Sequence, residues 1–157
     1  MKKLLSMAAM SFVLAFGVNA AESPITNEQV IRKLHDFFGL LDIQVYDKEN
    51  LSKIVTPDFR IFEVGNDFNL ESFASFIDGA SETLNETSWD LSNFIVSIDN
   101  KSAHISYFNK GTFKTKKNEL IHYDWMESAY MILDDQELKL KFLQSDVVSE
   151  VIEQLGQ

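Results

Sequence analysis

Glu127 stands in the segment Trp125-Met-Glu-Ser-Ala129, between two non-polar neighbours on its own face of a strand. A carboxylate buried among such residues needs a partner or a ligand. In an apolar cavity its pKa rises, and a carboxyl group titrating near neutrality can take a proton from a substrate. Glu127 is therefore the candidate catalytic base. It could equally be a hydrogen-bond acceptor for a bound molecule, or pair with a nearby cation such as Arg60. Tyr107 and Asn109 share one face of the preceding strand. Placed beside Trp125 and Glu127, they would offer a hydroxyl and an amide to orient a polar group of a ligand. Glu63 follows Ile61 and Phe62 and precedes Gly65, so it either enters the pocket mouth or caps the turn. Asp42 lies four residues after Phe38 on an expected helix, where it could face the same cavity. The candidate ligand-binding set is thus Asp42, Glu63, Tyr107, Asn109, Trp125 and Glu127.

Other chemistries find little support. His35, His104 and His122 are far apart, and no HxH, HxxxH or HExxH spacing occurs. His122 and Asp124 share a strand face but make at most half a metal site. No Ser-His-Asp signature and no Gly-rich phosphate loop is present. With no Cys there is neither a disulfide nor a thiolate. No metal and no cofactor is expected.

The elements that must position these residues can be read from periodicity. Ile121 to Ile132 is an unbroken run without Gly or Pro, which predicts a long central strand. Ala103 to Phe113 alternates before it, and Trp89 to Ile98 reads as a strand before that. Leu138 to Ser145 alternates after a turn at Asp134-Asp135-Gln136. Thr26 with Gln29 makes a capping box for a helix running to about Tyr46, with Val30, Leu34, Phe37, Phe38 and Leu41 on its apolar stripe. Asp47 opens a second helix that Thr56-Pro57 stops. Asp58 to Val64 is extended, and Gly65-Asn66-Asp67 turns the chain. Asn69 caps a third helix over Leu70 to Asp78 that Gly79 ends. Ala80 to Ser88 reads as a loop. Val148, Val151, Ile152 and Leu155 have the spacing of a short terminal helix. Helices first and an antiparallel meander after them give an α+β domain, its curved sheet closed by N-terminal helices into a cone with a cavity.

The segments Asp58-Phe-Arg-Ile-Phe-Glu-Val-Gly65, Ala103-His-Ile-Ser-Tyr107, Trp125-Met-Glu-Ser-Ala129 and Lys141-Phe-Leu-Gln-Ser145 resemble the nuclear-transport-factor-2-like superfamily. They resemble its bacterial polyketide-cyclase-like, stand-alone branch. The resemblance runs from about Glu28 to Asp146. It implies a cone-shaped, cystatin-like or ketosteroid-isomerase-like α+β fold, a pocket between sheet and long helix, and a homodimer through the outer sheet face. It does not imply one activity, because similar chains include isomerases, dehydratases, cyclases and binding domains. Two departures stand out. Leu138 replaces a frequent Trp. Gln144-Ser145-Asp146 replaces a frequent His-Ser-Thr whose His often lies near the pocket.

Lys2, Lys3, the apolar run Leu4 to Val18 and the small-x-small site Val18-Asn19-Ala20 read as a signal peptide over residues 1–20. Residues 21–157 then form one domain, expected in the bacterial periplasm or outside the cell. Without Lys2 and Lys3 the chain keeps 12 Lys+Arg against 24 Asp+Glu, a net charge of −12. Such a domain repels phosphate backbones, which argues against nucleic acid and anionic membranes. There is no second apolar run long enough to span a membrane. The sequence therefore points first to an exported domain binding a small apolar or amphipathic molecule. The alternatives are an isomerase, cyclase or dehydratase using Glu127 as base, and a dimeric interaction module.

Overall fold

The computed structural model describes residues 25–156, so the expected signal peptide lies outside the described residues. The element order is α1 (Asn27–Leu40), α2 (Lys48–Ile54), β1 (Val55–Glu63), β2 (Asn66–Asn69), α3 (Leu70–Ser81), β3 (Leu84–Ile98), β4 (Ser102–Thr115), β5 (Glu119–Asp134) and β6 (Glu137–Gln154). The six strands form one curved sheet in the order β2-β1-β6-β5-β4-β3. This is the expected α+β architecture. β3 to β6 are the antiparallel meander, while β1 joins β6 in parallel across the long connection through β2, α3, β3, β4 and β5.

The helix starts follow their caps. The Thr26 Oγ1 accepts from Gln29 N at 3.3 Å, and Gln29 Oε1 accepts from Thr26 N at 2.8 Å. α1 stops at Leu40 rather than near Tyr46. Asp42 is the reason: its carboxylate accepts from Gln44 N at 3.1 Å and its carbonyl from Val45 N at 2.9 Å, which turns the chain. Asp47 caps α2 through Glu49 N at 2.7 Å. Asn69 and Ser72 form a capping box on α3, which continues through Gly79 to Ser81.

Three segments differ from the periodic reading. Val64 and Gly65 both have positive φ, 50° and 71°, the geometry of a two-residue hairpin turn. They pair β1 with a short β2 that the local pattern does not announce. β3 begins at Leu84, because its first residues pair with the far end of β4, Leu84 opposite Thr115 and Trp89 opposite Gly111. The expected terminal helix is instead the second half of β6. Leu120 to Asp124 at the start of β5 pair with β4 on one side, and residues up to Gln154 supply partners on the other. Val148, Val151 and Ile152 stay exposed there, so the helical spacing buries nothing.

The core fills the space between the helices and the concave sheet face. Val30, Leu34 and Phe37 of α1 are fully buried against Phe59, Ile105, Ala129, Met131, Leu140 and Leu143. Phe37 meets Phe38, Phe59 and Phe73 with ring centroids 5.5 to 6.4 Å apart. The opposite face of the sheet leaves Phe108, Met126 and Tyr130 exposed.

Candidate functional site

One end of the concave face is not filled. A cavity of about 330 Å³ lies between the sheet, α1 and α3, within the range of small-molecule sites. Its wall is mainly aromatic and aliphatic, and Trp89, Phe113, Tyr123 and Trp125 form one side. The Tyr123 and Trp125 rings stack at 5.0 Å, and Phe113 meets Trp125 at 6.1 Å and Trp89 at 5.7 Å. Gly111 makes room for this cluster. A Cβ there would come within 2.6 Å of the Trp125 ring, closer than any side chain tolerates.

Polar groups enter this wall in one row. β4 and β5 pair Tyr107 with Glu127 and Asn109 with Trp125, and β5 and β6 pair Glu127 with Ser145. Ile61 is opposite Leu143 on the parallel β1–β6 ladder, so Glu63 and Ser145 are the next inward positions of their strands. The row therefore reads Glu63, Ser145, Glu127, Tyr107 across four strands. Glu127 is 7% exposed. Its carboxylate accepts from Ser145 Oγ at 2.7 Å and from Asn109 Nδ2 at 3.1 Å. The Tyr107 hydroxyl also favours the charged carboxylate, although it does not reach full hydrogen-bond geometry.

Burial outweighs these donors and lifts the Glu127 pKa to about 7, with the Glu63 charge adding to the rise. Burial also raises Glu63, opposed by the Ser145 hydroxyl and reinforced by Asp146. Ser145 thus stands between two carboxyl groups but has one proton to donate. Burial pushes the Tyr107 phenol well up, helped by Glu127. Tyr123 rises to about 12 through burial and its 2.7 Å bond to Glu150.

Glu63, Asn109, Trp125 and Glu127 line the cavity. Tyr107 is not among the lining side chains and packs deeper, against Phe38 and Phe94. Asp42 lies beyond the end of α1 and is not among them either. Its carboxylate is held by the Gln44 amide and the Thr87 hydroxyl at 3.3 Å, so it forms no pair with Glu127. Arg60 bonds Asp67 and is not a partner of Glu127. His122 Nδ1 meets Thr112 Oγ1 at 3.1 Å, and Asp124 accepts from Ser149 at 2.7 Å. Among the described residues no group of three metal-ligating side chains occurs. Gln144, the position where a His is frequent in similar chains, pairs with Ser128 and contacts Asp146 on the outer side of the sheet. Its identity therefore leaves the cavity untouched.

Ser145 is the site residue that the sequence did not single out. Glu150 at the rim and Trp89 on the wall are two more. Three buried polar atoms of this region have no hydrogen-bond partner among the described residues: Asn109 Oδ1, Trp125 Nε1 and the Tyr107 hydroxyl. Buried polar atoms are rarely left so.

No family model and no curated protein matches the sequence. Solved structures do match. A hexachlorocyclohexane dehydrochlorinase, LinA type 2, superposes with a TM-score of 0.71 at 11% identity, over 83% of this chain and 92% of that one. The association domain of C. elegans CaMKII gives 0.62 at 15%, over 76% and 93%. A protein with a cystatin-like fold from Nostoc punctiforme gives 0.63 at 14%, over 76% and 89%. At such identities the likeness concerns the fold, which is the nuclear-transport-factor-2-like, cystatin-like cone.

Proposed function

We propose that this domain binds a small, largely apolar molecule in the cavity between sheet and helices, with Glu127 as its polar anchor. One observation carries the reading. Asn109, Trp125 and Glu127 line a mainly apolar cavity, and among the described residues Asn109 Oδ1 and Trp125 Nε1 have no partner. A bound molecule would complete both. The chain has two tryptophans, and both line the cavity, so intrinsic fluorescence reports on it without a label. Titration with 1-adamantylmethanol, a neutral apolar alcohol with no absorbance of its own near the tryptophan band, is expected to change that emission saturably. Leu143→Trp should fill the cavity and abolish the response. An unsaturable response in the natural chain would refute the reading.

A second reading is proton transfer. Glu127 titrates near 7, where a carboxyl group is a competent base at cellular pH. Ser145 and Asn109 would fix its orientation, and Trp125 Nε1 would donate to a developing negative oxygen. Elimination, isomerisation and cyclisation all need such a base, and a dehydrochlorinase shares the fold. Glu127→Gln is expected to abolish turnover of any substrate found while preserving binding.

We also place the domain outside the cytoplasm, on the strength of residues 1–20, and pair two copies through the outer sheet face. Exposed Phe108, Met126 and Tyr130 lie together there, Phe108 opposite Met126. N-terminal sequencing of the secreted form beginning at Ala21 tests the first proposal.

A further inference from the structure

Building on the reading of the cavity as a small-molecule site, we propose that it selects cationic ligands. The fitting class is an apolar body bearing one protonated amine, received by Glu127, Glu63 and Asn109 Oδ1.

The charge of the wall is the first ground. Glu63, Glu127 and Glu150 line the cavity, and among the described residues no Lys, Arg or His does. A buried carboxylate without a counter-charge is costly, and Glu127 has only neutral donors around it. An anionic ligand would add repulsion to that cost. A cation would remove it.

The second ground is the count of acceptors. A carboxylate can only accept, so the Asn109 amide turns its Nδ2 to Glu127 and leaves Oδ1 without a partner. Asn109 lines the cavity yet is only 1% exposed, so bulk water does not freely meet that atom. Glu63 adds a second carboxylate on the far side of Ser145, whose single proton goes to Glu127. These are acceptors in search of donors. An ammonium group brings three donors and no acceptor. The aromatic wall of Trp89, Phe113, Tyr123 and Trp125 suits both the apolar body and the cation beside it.

Binding of a cation is then linked to protonation. Below neutrality Glu127 carries a proton because burial lifts its pKa to about 7. An ammonium stabilises the ionised form, so its affinity should follow the ionised fraction. Between pH 6 and pH 8 that fraction rises about tenfold.

The test compares three probes with one body: 1-adamantylmethylamine, 1-adamantylmethanol and 1-adamantanecarboxylate, titrated by tryptophan fluorescence at pH 6 and pH 8. At pH 8 the amine is expected to bind at least about tenfold tighter than the alcohol, and the carboxylate weakest. The amine's Kd should fall about tenfold from pH 6 to pH 8 while that of the alcohol barely changes. Glu63→Gln should weaken the amine by about fivefold or more beyond its effect on the alcohol, and the remaining saturable response to the alcohol shows that the variant is folded. If alcohol and amine bind alike at pH 8, or the carboxylate binds best, the cationic preference is wrong and the cavity remains a binding site. If no probe binds, both readings fall together.

Discussion

Replacing Glu127 by Gln should change how stability depends on pH, by an amount the structure fixes. The carboxyl titrates at about 7 in the folded chain against 4.5 for a free side chain. Its folded pKa is the higher one, so the folded state holds the proton more tightly. The resulting stabilisation is complete below pH 4.5 and disappears as pH rises through 7. Each tenfold in proton affinity is about 1.4 kcal/mol, so the full effect is about 3 kcal/mol, of which about 2.5 kcal/mol falls between pH 5 and pH 8. Glutamine has the same shape and never ionises. Its carbonyl can accept from Ser145, and a rotated Asn109 amide can accept from its nitrogen. Urea unfolding of both chains at pH 5, 6, 7 and 8 gives the answer as a difference, in which the repulsion within an acidic chain largely cancels. The variant should gain on the natural chain by about 2.5 kcal/mol from pH 5 to pH 8, a relative midpoint shift of about 1 M urea. Profiles that run parallel within about 0.5 kcal/mol would refute the claim that Glu127 is buried with its charge uncompensated.

Three further outcomes are expected. Gly111→Ala must displace the Trp125 ring that its Cβ would meet at 2.6 Å; a loss of about 1–3 kcal/mol in thermal unfolding, with a shift in tryptophan emission, is the measure. Asn69→Ala removes the 2.9 Å bond to the Ser72 amide at the start of α3 and should cost about 1 kcal/mol by denaturant unfolding. Met126→Glu puts a charge at the centre of the exposed outer face; light scattering should show a dimer for the natural chain and a monomer for the variant, and an unchanged dimer would move the interface elsewhere.

What the sequence displayed of the site, and what it hid, comes down to one extra residue. The β4–β5 hairpin pairs without a bulge from Ser102 opposite Ile132 to Lys114 opposite Leu120. Folding the chain about its Thr115–Asn118 turn therefore places Tyr107 beside Glu127 and Asn109 beside Trp125, as alternation alone suggests. The β5–β6 hairpin does not behave so. Reflection about the turn that sets Asp134 opposite Glu137 puts Gln144 across from Glu127, but an irregularity between Tyr130 and Met131 slips the register by one. Ser145 arrives instead, and Gln144 goes to the outer face. A bulge leaves no mark in hydrophobic periodicity, so alternation alone does not bring Ser145 to Glu127. The terminal segment shows a related conflict between local pattern and pairing. Val148, Val151, Ile152 and Leu155 recur at helical spacing, yet the open backbone of β5 claims them as a strand. By contrast, Thr26, Asp47 and Asn69 mark their helix starts through contacts within three residues, and such signals survive any tertiary arrangement.

β6 lives under two regimes along its length. Up to Gln144 it is held between β1 and β5, and its Leu140 and Leu143 are sealed in the core. From Ser145 onward, among the described residues, β5 is its only strand partner, and Val148, Val151 and Ile152 are exposed. Such a half-held strand opens locally at far less free energy than the whole domain. Its backbone amides should exchange with deuterium well ahead of those before Gln144. The boundary falls at the residue that grips Glu127, while Val147 and Glu150 of the looser half line the cavity. Exchange followed residue by residue along β6 therefore reports how firmly this side of the cavity wall, including the Ser145 hydroxyl on Glu127, is held.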